Sequence, residues 1–261
     1  MIRVAITGAM GKMGREVVKA VSATSGMEIV AAIDPAHVGE RIDDGAGAGI
    51  PITSDLARAI EDTEPDVLVD FTHPSVVEQN LRTALSMGVH CVVGTTGLTE
   101  AKLRELIELG LDGTCLFVAP NFAIGAVLMM QFAAQAARFM PHAEIIELHH
   151  DKKADAPSGT AIRTASLIAS ARGDAPPTPG AETELPGASG ARGADVEGVH
   201  VHSVRLPGLV AHQEVVFGGQ GQTLTLRHDS IDRTSFMPGI ILAISQVTDR
   251  EGLIIGLENL L

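Results

Sequence analysis

The residues with the clearest potential for chemistry lie in one short stretch, Glu147–Ala161. It reads Glu-Leu-His-His-Asp-Lys-Lys-Ala-Asp-Ala-Pro-Ser-Gly-Thr-Ala. Imidazole titrates near neutral pH, so His149 and His150 can exchange protons under physiological conditions. Lys152 and Lys153 add positive charge, although Lys152 is expected to be solvated. The combination predicts a site that binds a small acidic molecule and protonates it.

The Pro-Ser-Gly-Thr turn in this stretch predicts the start of a helix. Gly159 and Thr160 would present free backbone N–H groups to a carboxylate. Asp155 and Ser158 are in position to cap the same helix. Capping and anion binding are compatible, so both are expected.

A metal site built from His149, His150 and Asp155 is the alternative interpretation. The spacing lacks the helical i, i+4 histidine pair and the cysteine partners that zinc sites favour, so we expect no metal. Neighbouring residues of a strand point to opposite faces. The two histidines should therefore have different roles, unless the strand has ended before His150.

A second motif lies between a β-rich run and a helical run near the start of the chain. Gly8–Gly14 reads Gly-Ala-Met-Gly-Lys-Met-Gly. Glycines in this context let a pyrophosphate approach the helix N-terminus. Asp34 follows at the distance where a carboxylate accepts hydrogen bonds from a ribose. The pattern predicts binding of NADH or NADPH, and Asp34 favours NADH. The side chains that could hold a 2′-phosphate are Lys12, His37 and Arg41.

The elements that must position these motifs follow from the hydrophobic pattern. Five short apolar runs alternate with helical patterns, which is typical of a parallel sheet covered on both faces. The runs are Ile2–Thr7, Glu28–Ile33, Asp66–Phe71, His90–Val93 and Thr114–Ala119. Ligands bind at the carboxyl ends of such strands. Gly94–Thr96 and Ala119–Phe122 end two of them, near where a nicotinamide would reach, although alone they are ordinary loop sequences.

The pattern changes after residue 121. Helical patterns over 126–139 and 160–172 enclose a strand over 144–148, and the Pro-, Gly- and Ala-rich segment 173–198 predicts one long loop. Further strands are predicted over 199–206, 211–217 and 222–228, and a helix over 233–248.

Together these patterns predict an α/β fold with a Rossmann-like parallel-sheet nucleotide domain, formed by residues 1–121 and 230–261. A second α+β domain, residues 122–229, would have a mostly antiparallel sheet and bind the substrate.

The composition of the chain argues against several classes of binding partner. The net charge of −13 argues against nucleic acid and against an anionic membrane surface. The longest apolar run is far shorter than the ~18 residues of a membrane span. Cys91 and Cys115 have neither a C-x-x-C nor a metal-type spacing, which indicates buried thiols in a reducing cytosol and hence a cytoplasmic protein.

The chain resembles the 4-hydroxy-tetrahydrodipicolinate reductase family, formerly dihydrodipicolinate reductase, of bacterial lysine and diaminopimelate biosynthesis. The residues that carry the resemblance run nearly from end to end: Gly8–Gly14, Asp70–Thr72, Val93–Gly97, Pro120–Phe122, Glu147–Ala161 and Asp232–Phe236. It implies that NAD(P)H reduces a cyclic imine dicarboxylate, with loss of water, to tetrahydrodipicolinate.

The resemblance also implies residue roles. His149 would be the proton donor, and Lys153 a second proton donor or a cation that holds the substrate. His150 would contact the substrate, and Gly159 with Thr160 would bind a carboxylate. The residues that would hold the cofactor are Gly8, Ala9, Met10, Gly11, Lys12, Met13, Asp34, Gly94, Thr95, Thr96, Ala119, Pro120, Asn121 and Phe122. The family is usually a homotetramer joined through the sheets of the second domain.

Some questions stay open at this point. The family often has Arg where this chain has His73, and sometimes a basic residue where it has Pro35, so the choice between NADH and NADPH is undecided. Two other functions are a dehydrogenase of another amino-acid precursor and a non-catalytic NAD(P) sensor. The cluster of His149, His150 and Lys153 before the Pro-Ser-Gly-Thr turn argues against another dehydrogenase. It also argues against a sensor, because a sensor needs no proton donor.

Overall fold

The computed structural model describes residues 1–43, 47, 49–173, 185–187 and 190–261. The chain divides into two compact units. The first consists of Met1–Ala123 and Arg233–Leu261, and the second of Ile124–Asp232. The second unit is therefore an insertion between two segments of the first. The functional role of each unit stays a prediction.

The first unit is an α/β structure. Its strands are β1 (Ile2–Thr7), β2 (Met27–Ile33), β3 (Arg41–Ile42), β4 (Ile50–Thr53), β5 (Val67–Asp70), β6 (His90–Val93), β7 (Cys115–Val118) and β13 (Gly252–Ile255). Its helices are α1 (Lys12–Ser22), α2 (Leu56–Thr63), α3 (Pro74–Ser86), α4 (Glu100–Ile107) and α7 (Met237–Val247). The strand order is β13-β7-β6-β5-β1-β2-β4-β3, and β3 pairs antiparallel to β4 in an otherwise parallel sheet.

The central strands explain why this sheet is parallel and covered on both faces. Val4–Ile6 and Val67–Val69 are fully buried over consecutive residues, so side chains on both faces of the sheet are covered. Leu81 and Leu85 of α3 pack with Leu68 in one core cluster. The carboxyl ends of β1, β2, β5, β6 and β7 thus share one edge, where the predicted cofactor residues follow.

The second unit has a mixed sheet with two helices. Its strands are β8 (His142–His149), β9 (Ala194–Val196), β10 (Val199–Arg205), β11 (Ala211–Gly219) and β12 (Gln222–Ser230), and its helices are α5 (Ile124–Ala137) and α6 (Gly159–Arg172). The order is β12-β11-β8-β10-β9, and β8 and β10 are parallel whereas the other pairs are antiparallel. Ala165 and Ile168 of α6 pack with Ile145 and Phe217 on one face of this sheet. The opposite face is partly exposed.

The predicted fold class is confirmed, but two segments differ from the prediction. The predicted loop 173–198 contains β9, whose three residues are mostly exposed and carry no apolar pattern; residues 174–184 and 188–189 lie outside the described part of the chain. The predicted helix 233–248 begins as a 3-10 turn, Arg233–Phe236, and becomes α-helical only at Met237. Pro238 explains this start, because proline is tolerated in the first turn of an α-helix. Within the described residues, no helix has both the length and the apolar character needed to cross a membrane.

Candidate active site

The end of β8 brings the first predicted catalytic residue into contact with a buried carboxylate. The two-residue repeat of the strand puts Glu147 and His149 on the face that α6 covers. The Glu147 side chain has no exposed surface, and that of His149 is 14% exposed. His149 Nδ1 lies 2.5 Å from Glu147 Oε2. Because an ionised carboxylate only accepts hydrogen bonds, Nδ1 carries the hydrogen.

The other ring nitrogen of His149 is available for proton exchange. Nε2 has no hydrogen-bond partner among the residues that the structure describes. Burial lowers the pKa of His149 below its ordinary value of 6.5, and the charges of Lys153 and Arg205 lower it further, while Glu147 opposes this shift. Lys153 follows in a turn in which its backbone N–H donates to the carbonyl oxygen of His150, at 3.2 Å.

Lys153 is engaged by a neighbouring acid. Its Nζ donates to both carboxylate oxygens of Asp155, at 2.8 and 2.7 Å. The Lys153 side chain is 22% exposed and that of Asp155 is 64% exposed. The prediction that Asp155 caps the helix is therefore wrong, because this carboxylate pairs with the lysine instead.

His150 follows the last residue of β8, so the strand has ended before the second histidine. Its Nδ1 is buried and has no hydrogen-bond partner among the described residues. A buried ring nitrogen without a partner retains the capacity to bind a polar ligand group.

The start of α6 has the geometry expected of an anion site. Ser158 is 3% exposed, and its hydroxyl accepts a hydrogen bond from Ala161 N at 3.2 Å, which confirms the predicted cap. A Cβ added to Gly159 would meet nothing within 4 Å. The space in front of the first helical turn is thus open, and Gly159 and Thr160 begin the helix there.

In the first unit, the glycine loop after β1 is folded tightly around its own backbone. Gly8 has a φ of +72°, and a Cβ on it would lie 2.6 Å from the carbonyl oxygen of Phe71. A Cβ on Gly14 would lie 2.0 Å from the carbonyl oxygen of Gly8. The helix cap, Gly11, has no side-chain hydrogen bond to the first turn. The loop thus leaves the start of α1 without a side-chain cap, so its backbone N–H groups can serve a pyrophosphate.

Asp34 lies beside this loop. Its Oδ2 accepts a hydrogen bond from Met10 N at 3.1 Å, and its Oδ1 accepts one from Ala36 N at 3.2 Å. The structure therefore brings the predicted ribose-binding carboxylate to the glycine loop. Ala9 is fully buried, so its side chain belongs to the core.

A buried carboxylate that we did not predict as a site residue links the strand ends. Asp70 is fully buried and accepts hydrogen bonds from the hydroxyls of Thr7 at 2.9 Å, Thr72 at 2.8 Å and Thr95 at 2.6 Å. Asn80 of α3 adds a fourth, at 2.8 Å. Asp70 thereby fixes the ends of β1, β5 and β6 relative to one another.

The other two predicted cofactor segments are built partly from core residues. A Cβ on Gly94 would lie 2.0 Å from the Phe71 ring. Phe122 is 3% exposed, and its ring centroid lies 5.7 Å from that of Phe71 and 5.9 Å from that of Phe117. Asn121 Oδ1 accepts a hydrogen bond from Ala123 N at 2.9 Å. The Phe122 side chain thus stabilises the loop, and any contact of this residue with a cofactor would involve its backbone.

A cavity of about 590 Å³ lies next to the glycine loop. Ala9 and Met10 line it together with three basic side chains, Arg15, Lys19 and Arg41, and one acidic side chain, Asp43. Arg41, one of the predicted candidates for a 2′-phosphate, is thus near Met10. Positive charge in this cavity would favour an anionic ligand although the whole chain is acidic.

Two family models cover nearly the whole chain. The model described as "Dihydrodipicolinate reductase, N-terminus" matches residues 2–122, and the one described as "Dihydrodipicolinate reductase, C-terminus" matches residues 125–261. The chain belongs to the dihydrodipicolinate reductase family. This confirms the predicted family and the interpretation as an NAD(P)H-dependent oxidoreductase.

Individual relatives agree with this family. The 4-hydroxy-tetrahydrodipicolinate reductase of Syntrophomonas wolfei is 51% identical, with 99% of this chain and 98% of the relative covered. That of Mycobacterium sp. strain KMS is 52% identical, with 100% and 99% covered. A solved structure of dihydrodipicolinate reductase from Paenisporosarcina sp. TG-14, bound to dipicolinate, has a TM-score of 0.88 and 46% identity, and both chains are fully covered. An amine dehydrogenase from Mycobacterium smegmatis, at 17% identity and a TM-score of 0.67, shares the fold alone.

Proposed function

We propose that the chain catalyses the reduction of 4-hydroxy-tetrahydrodipicolinate to tetrahydrodipicolinate in lysine and diaminopimelate biosynthesis. The overall change adds one hydride and one proton and releases one water molecule. The observation that carries the proposal is the arrangement at the end of β8. There, the half-buried His149 has a free Nε2, Lys153 follows in a turn closed on the carbonyl of His150, and the open start of α6 follows in the chain.

Recognition of a dicarboxylate needs two anion sites, and the second unit provides both. One is formed by the ammonium group of Lys153 and the ring nitrogen of His150 that has no partner among the described residues. The other is the start of α6, where Gly159 and Thr160 present backbone N–H groups and the helix dipole adds partial positive charge. The dipicolinate in the Paenisporosarcina sp. TG-14 structure is a ligand of this chemical class.

His149 is the proposed proton donor. Reduction of a conjugated imine leaves negative charge on the substrate, and a positioned acid that neutralises this charge lowers the barrier. Its Nδ1 is held inside the protein, so Nε2 is the atom that delivers the proton. Lys153 is the proposed second donor or substrate-holding cation, and its release from Asp155 would free it for the ligand.

The residues of the first unit fit a nicotinamide dinucleotide. The glycine loop is tight because Gly8 and Gly14 have no Cβ to meet the backbone of Phe71 and of Gly8. Asp34, beside this loop, is the proposed acceptor of hydrogen bonds from a ribose. Gly94–Thr96 and Ala119–Asn121 are the proposed strand-end contacts. When bound, NADH or NADPH supplies the hydride. Asp34 favours NADH, whereas Arg41 in the neighbouring cavity favours a 2′-phosphate, so we expect both cofactors to be used.

A homotetramer in the cytoplasm is the proposed working form. On the face of the second sheet away from α5 and α6 there is a depression of about 510 Å³. It is lined by His142, Glu144, Ile146, His202 and Val216, among others. Half-buried Ile146 and Val216 in such a depression favour contact with another sheet of the same kind. The buried, unpaired thiols of Cys91 and Cys115 suit a reducing compartment.

A coupled assay tests the proposal. A purified synthase would make the unstable substrate from pyruvate and aspartate semialdehyde, and the loss of NADH or NADPH would be followed by absorbance. Oxidation that pyridine-2,6-dicarboxylate inhibits is expected, with kcat reduced about 100-fold in His149→Gln. Lys152→Gln, which changes an exposed neighbour in the same segment, is the control and should keep its activity. Cofactor binding without any turnover would contradict the proposal.

A further inference from the structure

Glu147 has more partners than any predicted role requires. Its carboxylate is fully buried, and Arg205 binds it with two nitrogens, at 2.8 Å to Oε2 and 2.7 Å to Oε1. The same carboxylate binds His149 Nδ1 through Oε2 and accepts a hydrogen bond from Ser158 N through Oε1, at 3.2 Å. One carboxylate thus holds the proposed proton donor and the residue that caps α6.

Arg205 extends this group to the Lys153 segment. Besides the two bonds to Glu147, its Nη2 donates to the carbonyl oxygen of Asp155 at 2.7 Å. The Arg205 side chain is 18% exposed. Arginine binds a carboxylate with two parallel N–H groups, a geometry that lysine cannot reproduce. Arg205 therefore both neutralises Glu147 and anchors the backbone next to Lys153.

The carboxylate also decides which ring nitrogen of His149 can act on a substrate. With Nδ1–H donating to Glu147, proton exchange is restricted to Nε2. Without an acceptor at Nδ1, the ring would be free to turn and to change tautomer. A second group that orients an acid–base histidine is a recurring requirement for efficient proton transfer.

We propose that Glu147, held by Arg205, is a positioning residue that orients His149 and couples it to the anion-binding start of α6. This role rests on the proposed function, because it explains how the proposed proton donor of that site is held in place. Glu147 has no exposed surface, so it acts through His149 and Ser158 rather than by touching the substrate.

The charges around His149 agree with this role. Lys153 and Arg205 face the imidazole as cations, Asp155 pairs with Lys153, and Glu147 is the carboxylate bonded to the ring. Burial is the main cause that lowers the pKa of His149, and Glu147 is the group that raises it. Removing the negative charge of Glu147 should therefore reduce the protonated fraction of His149 at neutral pH.

The test combines Glu147→Gln, His149→Gln and the double variant in the coupled assay with NADH and NADPH. For Glu147→Gln we expect kcat to fall about 100-fold and the alkaline limb of the kcat profile to move to lower pH. The double variant should have the kcat of His149→Gln, because Glu147 acts on proton transfer through His149; its effect through Ser158 should appear in KM instead. The proposal would be overturned if Glu147→Gln reduced kcat by the same factor with and without His149. It would also be overturned if the alkaline limb of the kcat profile did not move.

Controls separate positioning from folding. Glu78→Gln removes a carboxylate of the first unit that also pairs with two cations, Arg82 and Lys102; it should keep activity at an unchanged oligomeric state. Glu147→Asp keeps the charge, so its pH limb should stay near that of the wild type. If Glu147→Gln does not fold, Arg205→Lys removes the two-nitrogen contact with Glu147 but leaves the charge of Glu147 in place. Its kcat should fall with the same non-additivity toward His149→Gln, and its pH limb should stay near that of the wild type.

A readout without turnover distinguishes this inference from the proposed function. Nitrogen-15 NMR of the histidine ring should show the hydrogen on Nδ1 of His149 in the wild type and a mixture of tautomers in Glu147→Gln. Calorimetry with pyridine-2,6-dicarboxylate should show at least a tenfold weaker complex for Glu147→Gln. If the wild type turns over no substrate but both differences appear, the proposed reaction fails and the positioning role stands. If turnover is normal and neither appears, the positioning role fails alone.

Discussion

At the scale of single residues, the site contains a carboxylate, Asp155, that competes with the substrate for Lys153. Lys153 binds both oxygens of Asp155 in a pair that is largely solvent-exposed on the acid side. A substrate carboxylate must replace Asp155 before it can use the lysine. Exposed pairs of this kind contribute about 0.2–1 kcal/mol, so the competition is modest.

Asp155→Asn should accordingly lower KM for the substrate about two- to fivefold, the range that corresponds to such a pair. The variant keeps the shape of the side chain and removes its charge, so kcat should change little. Steady-state kinetics with the coupled substrate measure both parameters. A rise in KM would mean that Asp155 holds Lys153 in its working position instead of competing with the ligand.

We expect the stability of the fold at acidic pH to depend on the ionisation of Glu147. Burial alone would raise the pKa of this carboxyl, but hydrogen bonds from Arg205, Ser203 and His149 outweigh burial and lower the pKa below the ordinary 4.5. A group whose pKa is lowered on folding stabilises the fold above its unfolded-state pKa, and this stabilisation is lost as pH falls through the folded-state value.

We therefore expect the free energy of unfolding to decrease on acidification below about pH 4.5, with a smaller slope in Glu147→Gln. Urea unfolding at a series of pH values, followed by circular dichroism, measures the slope. Parallel curves for the two proteins would show that the ionisation of Glu147 is not linked to folding. Asp155→Asn is a useful comparison, because the hydrogen bond from Lys153 also lowers the pKa of the Asp155 carboxyl, which is exposed.

At the scale of elements, the sequence predicted those that have a clear apolar pattern. The bounds of β1 and β6 were predicted as the structure has them, because continuous apolar runs end at Thr7 and Val93. The two-residue β3 and the three-residue β9 are too short to show any periodicity. They depend on pairing with neighbouring strands, and a local pattern cannot reveal such pairing.

In the candidate site too, contacts within one element could be predicted, whereas contacts between distant segments could not. The two-residue repeat of a strand is enough to put Glu147 beside His149, so this contact could have been predicted from the sequence. The contact between Glu147 and Arg205 spans 58 positions and results from the parallel pairing of β8 with β10. Asp70 reads as an ordinary strand-end acid, and only the convergence of Thr7, Thr72 and Thr95 shows that it links three strands.

The start of α6 supports a prediction about one glycine. In Gly159→Ala the new methyl group meets no protein atom, but it occupies the space that a ligand carboxylate would use. Thermal stability should be unchanged or slightly higher, because alanine is the better helix former, whereas KM for the substrate should rise about tenfold, a loss of roughly 1.4 kcal/mol of binding.

Gly218→Ala is the matched control for this experiment. Gly218 in β11 also has no atom near its added Cβ, and it belongs to no predicted ligand site. Because it lines the depression proposed for assembly, the control is compared at an unchanged oligomeric state. Its KM should stay at the wild-type value. If Gly159→Ala also leaves KM unchanged, the start of α6 does not bind the substrate.

At the scale of the whole molecule, the exposed face of the second sheet is the feature that a monomer leaves unexplained. Its depression is lined by apolar as well as charged side chains. The proposed tetramer would cover this face. Burial of Ile146 against another copy would make it sensitive to charge.

Ile146→Asp should therefore convert the tetramer into smaller species, measured by size-exclusion chromatography with light scattering. Val38→Asp, which places the same charge at an exposed apolar residue of the first unit, is the control and should leave the assembly intact. A wild-type monomer, or a tetramer that survives Ile146→Asp, would contradict the proposed assembly.

The insertion of the second unit has a consequence for biosynthesis. Strand β13 pairs with β7, and both belong to the first unit, but Ile124–Asp232 is translated between them. Because a chain emerges from the ribosome in order, β7 waits without its outer neighbour until the whole insertion has been made. The unit that begins the polypeptide is thus the last to be completed, and a nascent chain stalled before Gly252 would present β7 as an unprotected edge to other chains.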